Sequence, residues 1–146
     1  MTLIVDAAPL VALADASDRL HDRVTSVLTS EPGPLVIPAP VTAEVDYLFG
    51  VRHGAVARRR FLADLAAVRF TVGCLEGEDY ATAAEIDLRY SDLDLGLADC
   101  SLIVLAHRHA TDRVLSFDER HLRAVAPIGG GAFTILPADA QGGAGS

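Results

Sequence analysis

The sequence predicts an α/β protein: a single domain on a parallel central sheet of about five strands, flanked by helices on both sides. Three observations carry that prediction. Short apolar runs alternate with longer segments of helical periodicity, the pattern of strand–helix–strand units. The runs Thr2-Leu3-Ile4-Val5 and Leu35-Val36-Ile37 lack polar alternation, as expected of strands buried on both faces. No repeat or linker divides the 146 residues, a length that fits one domain.

Thr2 to Val5 is the first strand and stops at Asp6. Ala7 to Leu13 opens a helix, with Pro9 in its first turn, where the missing N–H costs nothing. A second helix is expected from Arg19 to Thr29, stopped by Pro32-Gly33-Pro34 before the second strand at Leu35–Pro38. Pro40 begins a helix containing Thr42, Glu44, Val45, Leu48 and Phe49, which Gly50 to Gly54 should break. Ala55 to Ala66 is the next helix, and Val68 to Val72 the third strand. Glu76 to Tyr90 reads as a helix with Tyr80, Ala83, Ala84 and Leu88 facing inward. Leu95 begins a helix that ends near His109. Arg113 to Phe117 is the fourth strand, followed by a helical turn at Glu119–Leu122 and an edge strand at Ala132–Leu136. The folded domain is therefore expected over 1–137, and the small-residue tail 138–146 is expected to be disordered.

The hydrophobic fraction is 51%, enough for a real core, yet no run approaches a membrane span. The N-terminus has no basic region and meets Asp6 at once, so it does not read as a signal peptide. Cys74 and Cys100 form no CxxC and no disulfide framework, which points to the cytoplasm. The formal net charge of −8 argues against a non-specific nucleic-acid binder. All 12 basic residues are arginine. Chemistry that needs a lysine is thereby excluded: Schiff bases, the P-loop lysine and the lysine of phospho-receiver domains.

The helix from Leu95 poses the functional question. Leu95, Leu102 and Ala106 form one apolar stripe, and Asp99 stands on it. A carboxylate there needs a partner, a proton or a metal, and Asp94, after Ser91, is the better candidate for the helix cap. Three further acids can reach the same place. Asp6 and Asp118 end the first and fourth strands, and ligand sites in open parallel sheets form at the carboxyl ends of strands. Both also read as helix N-caps. Glu44 lies in the first turns of the helix after the second strand and borders Val41, Val45 and Leu48.

Four carboxylates on one rim repel each other and must take up protons or a cation. An oxygen-only ligand set suits Mg²⁺ or Mn²⁺. The five histidines form no HxxxH or HExxH pair, against a zinc site. There is no GxSxG, P-loop or GxGxxG, and Gly129-Gly130-Gly131 precedes a strand rather than a helix. A dehalogenase-type phosphatase would need a second acid at residue 8, which is Ala, and a lysine. A magnesium–carboxylate pocket beside arginines points instead to phosphoryl chemistry, namely in-line hydrolysis of a phosphodiester by water.

These residues resemble the PIN-domain ribonucleases, in particular the VapC toxins of type II toxin–antitoxin pairs. The resemblance rests on Leu3–Leu10, Pro40–Leu48, Leu95–Leu102 and Val114–Leu122, with the closing Pro127–Pro137, and covers most of the chain. It implies that Asp6, Glu44, Asp99 and Asp118 are the acidic quartet, both catalytic and metal-binding. Ser116 stands where the family has a supporting Thr or Ser. Ala7-Ala8 and Cys100 depart mildly, where Thr-Ser and Ala are common. The family further implies a divalent-metal endoribonuclease that cuts tRNA or rRNA, is homodimeric, and is held inactive by a VapB-type antitoxin. An alternative is a catalytically silent PIN-like regulator that binds RNA or protein.

Arg120 and His121 follow Asp118 and would hang over the rim, as phosphate contacts or as a solvated turn. Arg58-Arg59-Arg60 reads as a solvated helix face more than an RNA track. Asp92 and Asp94 are left out of the metal shell, and Asp46 is read as surface.

Overall fold

The computed structural model describes residues 1–140; the remainder of the expected disordered tail, 141–146, lies outside the described residues. The strands are β1 (Leu3–Val5), β2 (Leu35–Pro38), β3 (Thr71–Gly73), β4 (Arg113–Leu115) and β5 (Thr134–Leu136). They form one parallel sheet in the order β3-β2-β1-β4-β5. The helices are α1 (Ala7–Leu13), α2 (His21–Ser30), α3 (Ala39–Arg52), α4 (Ala55–Ala66), α5 (Gly77–Arg89), α6 (Gly96–Arg108) and α7 (Glu119–Ala124). This is the α/β architecture the sequence predicts.

β1 is the centre, and its three residues are fully buried. That burial on both faces is why the strand carries no polar alternation. From β1 the chain steps outward through β2 to β3, then crosses back to β4. Right-handed crossovers carry α1–α4 to one face and, on reversal of direction, α5 and α6 to the other. Contacts join α1 to α2 and α3, α3 to α4, and α5 to α6, and α3 also reaches α6. α6 crosses close over β3: a Cβ on Gly73 would collide with Leu105 and press on Val36, which is why glycine ends that strand. The reversal makes the gap between the ends of β1 and β4 the topological switch point, where an open sheet leaves a crevice.

Local expectations shift in several places. α3 continues through Gly50 to Arg52. Glycine weakens a helix by only about 1 kcal/mol, and buried Val41, Val45 and Phe49 hold this one. β3 starts later than expected, because Val68 adopts φ +56° in the turn that closes α4. In α5 the inward residues are Ala83 and Ile86, whereas Tyr80 (50% exposed), Ala84 and Leu88 (76%) face outward. α5 packs on α6 rather than on the sheet, so a narrow stripe is enough to seat it. Asp94 does not cap α6. It sits in the left-handed region (φ +52°) just after the 3₁₀ turn Ser91–Leu93, and Leu95 precedes the helix. Residues 138–140 are described: Asp139, in the turn after β5, accepts the Ile135 N–H at 2.8 Å and pairs with Arg123 at 2.7 Å.

Candidate active site

Each acid is delivered by a different element. Asp6 extends β1 by one residue, its N–H donating to the Leu115 carbonyl at 2.9 Å. Its side chain has two tasks. Oδ1 accepts the Ala7 N–H at 2.8 Å, capping α1, and Oδ2 accepts the Ser116 hydroxyl at 2.6 Å. The capping and functional readings of Asp6 are therefore compatible, since one oxygen serves each. Ser116 is 1% exposed. Its hydroxyl also accepts the Asp118 N–H at 3.0 Å, and its own N–H donates to the Leu136 carbonyl. One side chain thus ties the ends of β1 and β4 to the start of α7.

Asp118 caps α7, accepting the His121 N–H at 3.1 Å on Oδ1. Its Oδ2 lies 2.6 Å from Nδ1 of His121. An ionised carboxylate only accepts, so Nδ1 carries the proton. Asp99 comes from the first turn of α6 and is half-buried. Glu44, from α3, stands at the exposed outer edge. Asp99, Asp118 and His121 each offer a ligand atom within 4.8 Å of the others, a spacing that could hold a metal ion. Asp6 and Glu44 lie outside that tightest trio.

The electrostatics join all four acids. Burial raises the Asp99 carboxyl to about 6; Asp6, Asp118 and Glu44 add repulsion, and His121 opposes them. Burial raises Asp6 as well, while the Ser116 and Ala7 hydrogen bonds hold it down and Asp118 pushes it up. Glu44 is raised by partial loss of water and then by the charge on Asp6. His121 is raised by its hydrogen bond to Asp118, then by the charges of Asp118 and Asp99. Acids that disfavour their own ionised forms in this way are poised for a cation.

The sequence leaves His121 either a phosphate contact or part of a solvated turn; in the structure its Nδ1 bonds Asp118 at 2.6 Å. The signal was present in the Asp–x–x–His spacing at a helix start, which brings the i+3 side chain back to the cap. Arg120 is exposed beside it. In the Arg58–Arg60 cluster, Arg58 faces Asp46 at 3.8 Å, while Arg59 and Arg60 are exposed. Asp92 and Asp94 are exposed, and Cys100 is buried with its thiol raised to about 11 by burial and nearby acids.

Residues 3–127 match the family model of the PIN domain. The chain belongs to the PIN-domain family. It is 36% identical over 135 residues to Ribonuclease VapC26 of Mycobacterium tuberculosis, covering 92% of this chain and 100% of that protein. Among solved structures, this PIN domain is similar to M. tuberculosis VapC20, described as a Sarcin-Ricin loop cleaving toxin. The TM-score is 0.74 at 20% identity, over 80% of this chain and 90% of that one. VapBC2 of Rickettsia felis, bound to a fragment of its promoter DNA, matches with TM-score 0.66 at 12% identity, over 92% and 97% of the chains. The fold expected from the residue pattern is thus the fold of this PIN domain. No helix among its described residues is long and apolar enough to cross a membrane.

Proposed function

We propose that this chain is a divalent-metal-dependent endoribonuclease, the toxin of a toxin–antitoxin pair, hydrolysing phosphodiester bonds in structured RNA such as tRNA or rRNA. The observation that carries the reading is geometric: Asp99 and Asp118 offer ligand atoms within 4.8 Å of each other, and Ser116 bonds Asp6 to the same α7 start, while burial and neighbouring acids raise Asp6, Glu44 and Asp99. A silent scaffold has no reason to keep four repelling carboxylates. The 36% identity to a ribonuclease over almost the whole chain supports the same reading.

The donor set fits a hard cation: carboxylate oxygens with at most one imidazole. Asp6, Glu44, Asp99 and Asp118 would hold Mg²⁺ or Mn²⁺. Such an ion supplies acidified water and neutralises charge that develops on the phosphate. Ser116 orients Asp6 and fixes its distance from the α7 start. Asp118 favours the imidazolium form of His121 by accepting from its Nδ1, which would place positive charge beside the rim, and Arg120 is exposed next to it. The proposal includes a VapB-type antitoxin and a homodimer. The similarity to VapBC2 supports the first; the exposed apolar side chains Tyr80, Leu88 and Leu97 support the second.

The test is induced expression followed by sequencing of new RNA ends, with Asp6→Ala and Asp99→Ala beside the wild type. The expected result is one dominant set of ends and growth arrest for the wild type, and neither for the variants, which still fold. Cleavage retained by either folded variant refutes the assignment.

A further inference from the structure

Beside the acid cluster, on the β4–β5 side of the rim, lies a cavity of about 290 Å³. Arg19 and Arg23 wall it from the α1–α2 connection and the first turn of α2; Ser116 and Phe117 from the segment after β4; Glu119 from the start of α7; and Pro137 from the turn after β5. Ser116 belongs to this cavity and, through its bond to Asp6, to the acid cluster as well. The two spaces therefore adjoin.

The cavity wall carries two guanidinium groups, Arg19 and Arg23, against one carboxylate, Glu119. Glu119, the acid in the wall, is bound by Arg123 at 2.7 Å, and Arg123 also takes up Asp139. Asp18, next to Arg19, turns one oxygen to the Leu20 N–H at 2.8 Å. Arg23 donates one N–H to the Pro137 carbonyl at 3.1 Å, which seats the guanidinium at the wall and leaves its other N–H groups to spare. Arg19 has no ion-pair partner among the described residues. Phe117, half-buried against the core, gives the cavity an apolar side. A planar fork that is seated but not spent matches a phosphate oxygen pair, and an apolar wall beside it suits a sugar and base.

We propose that this cavity is a nucleotide subsite: Arg19 and Arg23 take a backbone phosphate of the RNA strand next to the scissile one, with Phe117 flanking the attached nucleoside. The inference rests on the nuclease reading above and deepens it. Anchoring a second phosphate fixes the strand's register, so that the bond to be cut falls on the carboxylates. Arg19 and Arg23 are positioning residues in this scheme.

The experiment measures binding with Mg²⁺ present and cleavage switched off by Asp99→Asn. The probe is a labelled single-stranded oligoribonucleotide of about 12 nucleotides, titrated at several salt concentrations. In that background Arg19→Ala is expected to weaken binding about fivefold to tenfold, the loss of one charge-assisted phosphate contact. The slope of log affinity against log salt should shrink by about 0.7, one single-strand phosphate fewer. Arg19→Lys should keep the slope and recover part of the affinity, because lysine keeps the charge without the fork. Arg69→Ala, at the opposite end of the sheet, makes the same change in net charge and should alter binding less than about twofold. Equal losses from Arg19→Ala and Arg69→Ala, or no loss from either, overturn the subsite while leaving the nuclease reading in place. Absence of oligoribonucleotide binding by the parent protein also overturns the subsite, while the nuclease reading stands or falls on the RNA ends produced by the wild type and Asp6→Ala.

Discussion

Ser116 donates to Asp6 across 2.6 Å and at the same time accepts the Asp118 N–H at 3.0 Å, so a single buried hydroxyl sets the spacing of two acids 112 positions apart in the chain. The bond also holds Asp6 down against the burial that raises it. Removing the hydroxyl should therefore disturb the site more than the fold. Ser116→Ala is expected to lower cleavage and divalent-ion affinity by about 10- to 100-fold, the usual cost of losing a group that orients a ligand. Ser116→Thr should restore most of both. Calorimetric titration with Mn²⁺ and cleavage assays check this; unchanged metal affinity in Ser116→Ala would show that Asp6 is oriented by other contacts.

Asp99 should gain stability when neutralised. Its carboxyl titrates at about 6 in the folded chain because ionisation there costs desolvation and repulsion. Asp99→Asn removes both while keeping the shape. The variant in chelator is expected to melt above the wild type at pH 7.5, by up to about 1 kcal/mol once its partial exposure is allowed for. Thermal melts with and without metal distinguish this from a general effect: excess Mg²⁺ should raise the wild type and leave the variant nearly unmoved.

The same shift predicts a pH dependence of opposite sign to ordinary acid denaturation. The unfolded Asp titrates near 3.9 and the folded one at about 6, so between those values the folded chain binds more protons. Stability of the metal-free protein therefore falls as pH rises from about 4 to about 6. Asp6 and Glu44, raised for related reasons, and His121, raised by Asp118, act in the same sense. Saturating Mg²⁺ should flatten the dependence, because the cation replaces the protons. Differential scanning from about pH 4 to about pH 6.5 tests it; a metal-free midpoint that does not fall over that range would count against a coupled acid cluster.

A basic antitoxin tail and a divalent ion should compete for this pocket. Arginine-bearing peptides from the cognate antitoxin are expected to bind more tightly in chelator than at saturating Mg²⁺, by an amount that shrinks with salt. Anisotropy titrations of a labelled peptide decide it. Equal affinity in both conditions would place the tail elsewhere on the surface.

Away from the site, Arg113 and Glu31 form a 2.6 Å pair that staples the end of α2 to β4, and the Glu31 side chain is only 3% exposed. Arg113→Met leaves that carboxylate buried without a partner. The expected loss is about 3 kcal/mol in a denaturant melt, with smaller damage from the double variant Arg113→Met/Glu31→Gln. Comparable losses in both would mean that packing, not charge, holds the joint.

Much of this protein was legible from residue order. Fully buried β1 shows itself as an unbroken apolar run, and a carboxylate on the apolar stripe of α6 demands a partner wherever it occurs. Asp6 declared itself by standing directly after β1, and Asp118 by following the apolar run that holds β4. Such features depend on local periodicity and on the cost of burying charge, and both are properties of short segments. The tertiary structure alone decided which oxygen of Asp6 caps a helix and which meets Ser116, that His121 turns to Asp118, and that Tyr80 and Leu88 face outward while Ala83 and Ile86 pack on α6. It also gathered Arg19 and Arg23 against Phe117, residues nearly a hundred positions apart. These outcomes turn on distances of an ångström or less between segments remote in sequence. They are fixed when the sheet closes and its crossovers choose their faces, which no single stretch of the chain can specify.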